Sequence, residues 1–165
     1  MKNDAIDDIL EQWSEERPEL NTASLGVVIR VMSLYRAFVR QADKALEPLD
    51  LELFEYDVLS ALRRQGKPYA LTATQLAKAT GLSTGAMTNR IDKLEERTLV
   101  RRQRDKSDRR GVIVSLTTTG KRTIDDAIKL RLDAADESLR SISSKEQQQL
   151  AVLLRKVKLA SSDKE

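Results

Sequence analysis

Between Thr74 and Leu94 the chain carries two short apolar periodicities separated by a single glycine, and this arrangement restricts the fold more than any other part of the sequence. In Thr74-Gln75-Leu76-Ala77-Lys78-Ala79-Thr80-Gly81-Leu82-Ser83, the small Ala77 lets a second helix cross closely, and Gly81 permits a tight turn. Ser83 is placed to open the second helix. Its hydroxyl can accept one of the free N–H groups of a first turn that Thr84 and Gly85 begin. Met87, Ile91 and Leu94 follow at helical spacing and are expected to face the core. The opposite side of the wheel presents Gly85, Asn89, Asp92, Lys93 and Glu96, flanked by Thr84, Thr88 and Arg90. Small side chains bearing hydroxyls and an amide near a helix N-terminus suit the major groove of duplex DNA.

The residues that follow predict a hairpin. Leu99-Val100 and the alternating run Val112-Ile113-Val114-Ser115-Leu116 read as two strands, joined by a polar loop from Arg104 to Gly111. From Ser83 to Arg110 nine Lys or Arg stand against five acids, a net charge of +4, whereas the whole chain is +3. The remainder is therefore about −1, so the basic excess is local, as a phosphate-facing surface requires. Turn, groove-facing helix and basic wing in this order define a winged helix-turn-helix, a mainly α fold with a small β-hairpin wing. The residues expected to meet DNA are Ser83, Thr84, Thr88, Asn89 and Lys93 on the second helix, with Arg109 and Arg110 in the wing. The alternative is a winged helix that docks proteins and binds no operator.

The same residues resemble the MarR family of bacterial transcriptional regulators. The resemblance is carried by Leu76-Ala77-Lys78-Ala79-Thr80-Gly81-Leu82-Ser83, Ile91-Asp92-Lys93-Leu94-Glu95, Leu99-Val100-Arg101-Arg102, Asp108-Arg109-Arg110-Gly111-Val112 and Leu116-Thr117-Thr118-Thr119-Gly120, within a block from Leu71 to Gly120 that spans about a third of the chain. It implies that Asp108 steadies the wing and that Arg110 enters the minor groove. A narrow minor groove concentrates negative potential, so an arginine there is also sound chemistry. Thr98 departs from the family, which usually has Gly before the Leu-Val step. Glycine takes the left-handed conformation cheaply, and Thr98 leaves the end of that helix open.

Composition excludes several other functions. The chain has neither His nor Cys, so it offers no imidazole base, no thiol nucleophile and no thiol sensor, and only carboxylates could hold a metal. Thr118-Thr119-Gly120-Lys121-Arg122-Thr123 looks like the end of a P-loop, but Ser115 stands where the earlier Gly is required, and the segment is expected to start a helix. An enzyme, a catalytic site, a cofactor and a bound metal are therefore not expected. Aromatic residues make up 4% of the chain and none lies in the basic wing, which disfavours stacking on single strands or RNA. No apolar run approaches the roughly 18 residues needed to cross a bilayer, so no membrane association is expected. The acidic start Met1-Lys2-Asn3-Asp4-Ala5 is unlike a signal peptide, and a cytoplasmic protein is expected.

Helical patterns flank the winged block. Leu25, Val28, Met32, Tyr35, Val39, Ala42 and Leu46, with Val27, Val31, Leu34 and Phe38 beside them, make an apolar surface too wide for one neighbour. Ile124, Ile128, Leu132, Ala135, Leu139 and Ile142 form one C-terminal stripe, and Leu150, Leu153, Leu154 and Val157 another. The expected division is residues 1–50 for N-terminal dimerisation and ligand contact, 51–117 for DNA binding, and 118–165 for C-terminal dimerisation. The resemblance implies a homodimer built from both ends, which would read a pseudo-palindromic duplex with half-sites about 34–36 Å apart or a multiple of that.

Regulation rests on fewer residues. Ile6, Ile9, Leu10 and Trp13 could share a helix face before Pro18 interrupts it, and Trp13 is expected to seal a core, with ligand contact as the alternative. Asp57 borders the stripe Phe54, Val58, Ala61 and Leu62, where a partly buried carboxylate needs a cation or hydrogen bonds. The chain also resembles the urate-responsive branch of the family, and the corresponding ligand-binding positions are Trp13, Asp57, Arg90 and Arg102. That resemblance implies a urate-like effector. An aromatic carboxylate or a phenol is the alternative. Such an anion would compete with Asp57 for Arg90 or Arg102 and release a repressor from its operator.

Overall fold

Asp4 starts the first helix, α1 (Ala5–Glu16), by accepting the N–H groups of Ile6 and Asp7 on its carboxylate, while the Asp7 carboxylate accepts the N–H of Asp4. The helix stops before Pro18, whose ring disfavours helical backbone in the residue ahead of it. This computed structural model describes residues 3–104 and 111–162, and the chain divides into two compact units, 1–44 and 45–165.

In the first unit α1 is joined to α2 (Ala23–Leu46). Leu10 lies so close to Gly26 that a Cβ at Gly26 would meet it at 2.7 Å, and Arg30 forks onto Asp4 at 2.9 Å and Asp7 at 2.7 Å. The pairing of a cation with the N-terminal carboxylates of α1 holds the Asp4 carboxyl below the ordinary aspartate value, the hydrogen bond from Arg30 being the main cause. Trp13 does not seal a core within the chain, contrary to the expectation from its bulk. It is 44% exposed, and α1 has no buried residue. Along α2, Val27, Val28, Val31, Met32, Leu34, Tyr35 and Phe38 are all exposed.

In the second unit a short 3-10 turn (Glu47–Leu49) leads into α3 (Leu53–Arg64), β1 (Ala70–Thr72), α4 (Ala73–Thr80), α5 (Thr84–Glu96), β2 (Val100–Arg104), β3 (Val112–Leu116), α6 (Thr118–Leu139) and α7 (Ser144–Ser162). The three strands form an antiparallel sheet in the order β1-β3-β2, with Arg102 opposite Val114 and Leu71 on the far side of the same residue. Strand β1 is absent from the sequence reading, because three residues are too few to establish an alternation. Nor does a strand begin at Leu99: its N–H still bonds the Leu94 carbonyl at the end of α5, and the ladder runs instead from Val100 through Arg104.

Val58, Leu59 and Leu62 of α3, Leu76 of α4, Met87, Ile91 and Leu94 of α5, Val100, Val114 and Ile124 make one core with at most 2% exposure. Burying side chains of this size contributes about 1.5–3 kcal/mol each. The C-terminal stripe divides: Ile124 enters this core and Ile128 packs against it, whereas Leu132 of the same helix is 60% exposed. On α7, Leu150, Val152, Leu153, Leu154, Val157 and Leu159 are exposed.

Two backbone positions set the wing. Thr98 takes φ +56°, in the left-handed region that costs a residue with a Cβ about 1–2 kcal/mol. Thr98→Gly is therefore expected to stabilise the protein by about 1 kcal/mol after the entropy of glycine is deducted, raising the melting midpoint by about 2–4 °C. Calorimetry of the two proteins checks this. An unchanged or lower midpoint would mean that the strain is absorbed elsewhere.

Gly120 lies in the first turn of α6, directly against the start of the wing. A Cβ there would sit 1.9 Å from the Leu99 carbonyl oxygen, a backbone atom that cannot swing aside. The Thr117 hydroxyl fixes the same junction, donating to the Thr98 carbonyl at 2.7 Å and accepting the Gly120 N–H at 2.9 Å. Gly120→Ala is expected to cost about 1–3 kcal/mol as an overpacking change, read as a lower denaturant midpoint at unchanged slope.

Candidate nucleic-acid interface

Gly81 ends α4 in the left-handed conformation at φ +69°, and its N–H and that of Leu82 return to carbonyls of the last turn. The chain thereby passes from α4 to α5 in three residues. Ser83 then caps α5 by accepting the Ala86 N–H at 3.3 Å. With Met87, Ile91 and Leu94 buried, the outer face carries Ser83, Thr84, Gly85, Thr88, Asn89 and Lys93, all exposed. The Thr88 hydroxyl donates to the Thr84 carbonyl at 3.1 Å, which leaves its oxygen able to accept. Asn89 presents an amide with both donor and acceptor at the centre of this face.

Two cations of α5 lean on α3. The Arg90 guanidinium stacks over the Phe54 ring at 4.5 Å and the Lys93 ammonium lies 5.5 Å from the same ring. Strand β2 alternates Val100, Arg102 and Arg104 on one side with Arg101 and Gln103 on the other. Val100 is buried, Arg102 is partly covered by α5, and Arg104 is exposed, so the strand passes from apolar core to basic surface in five residues. Asp108, Arg109 and Arg110 lie outside the described residues.

The residues assigned to an effector separate into different settings. Asp57 is on the surface, but the protein crowding its carboxyl raises its pKa above the ordinary aspartate value, against the opposing pull of Arg131, Arg90 and Arg64. The three guanidinium charges favour the ionised carboxyl, but desolvation outweighs them. Arg131 lies over the Tyr56 ring at 5.7 Å, and its Nε finds no hydrogen-bond partner among the described residues. Arg64 lies two helical turns beyond Asp57 on α3, where the spacing could have pointed to it. Arg131 is far away in sequence, and only the packing of α6 on α3 brings it near.

Arg102 is engaged elsewhere, by Asp92 and Glu95 of α5. Trp13 belongs to the first unit. Among the described residues no cluster of three or more His, Cys, Asp or Glu could hold a metal ion, and no helix is long and apolar enough to cross a membrane.

A capped helix with an exposed hydroxyl and amide face, entered through a glycine turn and followed by a basic antiparallel strand, defines a winged helix-turn-helix of the DNA-binding kind. A profile of the MarR family matches residues 49–111. The HTH-type transcriptional regulator PecS of Dickeya dadantii is 31% identical over 152 residues, which cover 92% of this chain and 92% of PecS. A mutant of MarR from E. coli, solved in complex with operator DNA, is 28% identical with a TM-score of 0.72, covering 88% of this chain and 96% of that one. AbsC, a MarR family regulator from Streptomyces coelicolor, shares the fold at a TM-score of 0.80 and 22% identity over 87% of this chain and 97% of its own. The chain belongs to the MarR family. It is a winged-helix transcriptional regulator that binds DNA.

Proposed function

We propose that this protein acts in the cytoplasm as a homodimeric repressor of a pseudo-palindromic operator, and that a small anionic or aromatic ligand releases it. The observation that carries the DNA half is the outer face of α5, where Ser83, Thr84, Thr88, Asn89 and Lys93 stand exposed beside a basic strand. The similar MarR of E. coli has been solved on operator DNA with the same kind of fold. In this reading residues 51–117 bind DNA, Arg109 and Arg110 contact it from the wing that Asp108 steadies, with Arg110 in the minor groove, and the regions 1–50 and 118–165 pair two protomers. The exposed apolar surfaces of α2 and α7 support pairing, because single soluble chains rarely leave so much apolar area in contact with water.

Base-edge contacts specify and phosphate contacts position. Asn89→Ala is therefore expected to weaken the best duplex by about 1–3 kcal/mol while leaving a scrambled duplex unaffected, measured by titrating both against the two proteins. Equal weakening of both would remove Asn89 from the recognition face.

For the effector, the arginines facing Asp57 support an anion that takes the place of its carboxylate, with Trp13, Asp57, Arg90 and Arg102 as the residues the urate-responsive resemblance assigns. Urate, salicylate-like carboxylates and phenols are the classes to titrate into the protein–operator complex. Asp57→Asn should shift the concentration at which release occurs, and a release curve identical to that of the parent would take Asp57 out of the site.

A further inference from the structure

A helix that approaches phosphates gains nothing from negative charge for its own sake, and of the three acids on the recognition helix α5 Glu96 is exposed whereas Asp92 and Glu95 are partly buried. Both carboxylates are spent on one cation. Arg102, on the first strand of the wing, reaches Asp92 at 2.5 Å and Glu95 at 3.4 Å through Nη1, and donates from Nη2 to the Thr88 carbonyl at 3.2 Å. Glu95 also accepts the backbone N–H of Arg102 at 2.9 Å. Four contacts therefore tie one residue of β2 to two successive turns of α5, and the Arg102 side chain is only 28% exposed.

We infer that Arg102, Asp92 and Glu95 form a brace that fixes the wing relative to the recognition helix, and that Arg102 is a positioning residue for operator binding. The inference rests on the DNA-binding reading and deepens it. A winged helix reads a half-site at two places, the helix in one groove and the wing beside it, and the two can be satisfied together only at one separation. Arg102 joins the two elements beside Thr88, next to Asn89 on the outer face. A guanidinium suits the task because its planar fork can serve several acceptors at once, which an ammonium on a flexible stem does poorly.

The test depends on a difference of sign. If Asp92 and Glu95 act only through their charge, neutralising them as Asp92→Asn/Glu95→Gln reduces repulsion and strengthens binding to any duplex. The brace requires the reverse for the operator, a loss of about tenfold or more with the scrambled duplex bound as before or slightly better. Arg102→Met is expected to lose operator affinity to the same degree. Arg102→Lys, which keeps the charge, is expected to lose most of it too.

Titrations of an operator selected with the unmodified protein, and of its scramble, are run at several salt concentrations well below the melting midpoint of each variant. The predicted result is a reduced operator-to-scramble ratio with the salt slope unchanged. Tighter binding of every duplex by the acid-neutralised variant would overturn the brace. So would uniform weakening by Arg102→Met with a slope smaller by about 0.9 per lost contact, the mark of a phosphate ligand that Arg102→Lys would restore. Failure of the unmodified protein to prefer any duplex is a separate outcome, which removes the DNA reading itself and the brace with it.

Discussion

Arg97→Ala is expected to cost about 3 kcal/mol of stability and lower the melting midpoint by roughly 10 °C, with no part of DNA touched. Arg97 ends α5, and its guanidinium donates to Glu55 of α3 at 2.6 Å and to the Asp50 carbonyl. The Glu55 side chain is 3% exposed and also accepts the Glu52 N–H at 2.9 Å. Removing the arginine leaves a carboxylate desolvated and without its cation. The low end of the range for a broken buried pair applies because Arg97 is itself 34% exposed, so water can enter in its place. Thermal unfolding measures the loss. Arg97→Ala/Glu55→Leu should recover much of it, since an apolar side chain has no charge to strand, and a double variant as unstable as Arg97→Ala would show that the pair is not the cause.

The largest expected effect on function is at the wing. Arg110→Ala should weaken operator binding on the order of 10³-fold, because each protomer of a dimer would lose about 1–3 kcal/mol of groove contact and the two losses add. Dimerisation should be untouched, as the exposed apolar surfaces of α2 and α7 are made of other residues. Titration of the operator together with sedimentation of the free protein separates the two. Near-normal affinity in a dimeric variant would show that the wing does not enter the groove through Arg110.

Much of the site was legible because it is local. The turn at Gly81, the cap at Ser83 and the burial of Met87, Ile91 and Leu94 each depend on residues a few positions apart, and each formed as its spacing required. What escaped depends on contacts between distant segments. Strand β1 exists only because β3 offers Ile113, Val114 and Ser115 as partners. Arg131 comes near Asp57 only through the packing of α6, and the Glu55–Arg97 pair joins the two ends of a three-helix arrangement. The wheel placed Asp92 on the outer, groove-facing side of α5, and nothing in its periodicity could reveal that Arg102 draws it and Glu95 toward the wing. Thr98 was legible only in part. Its departure from Gly left the end of α5 open, and the chain keeps there, in spite of the side chain, the left-handed conformation that Gly would take cheaply.

Every role given to α5 and the wing requires that this protein read a particular duplex sequence. The most direct measurement is selection of genomic duplex fragments with the purified protein, followed by titration of the best fragment and its scramble at two salt concentrations. The expected result is a pseudo-palindromic consensus bound about 10³-fold or more tightly than the scramble, with affinity falling steeply as salt rises. Equal binding of operator candidate and scramble, in the absence and in the presence of urate or aromatic acids, would contradict it and leave the winged helix as a docking module for another protein.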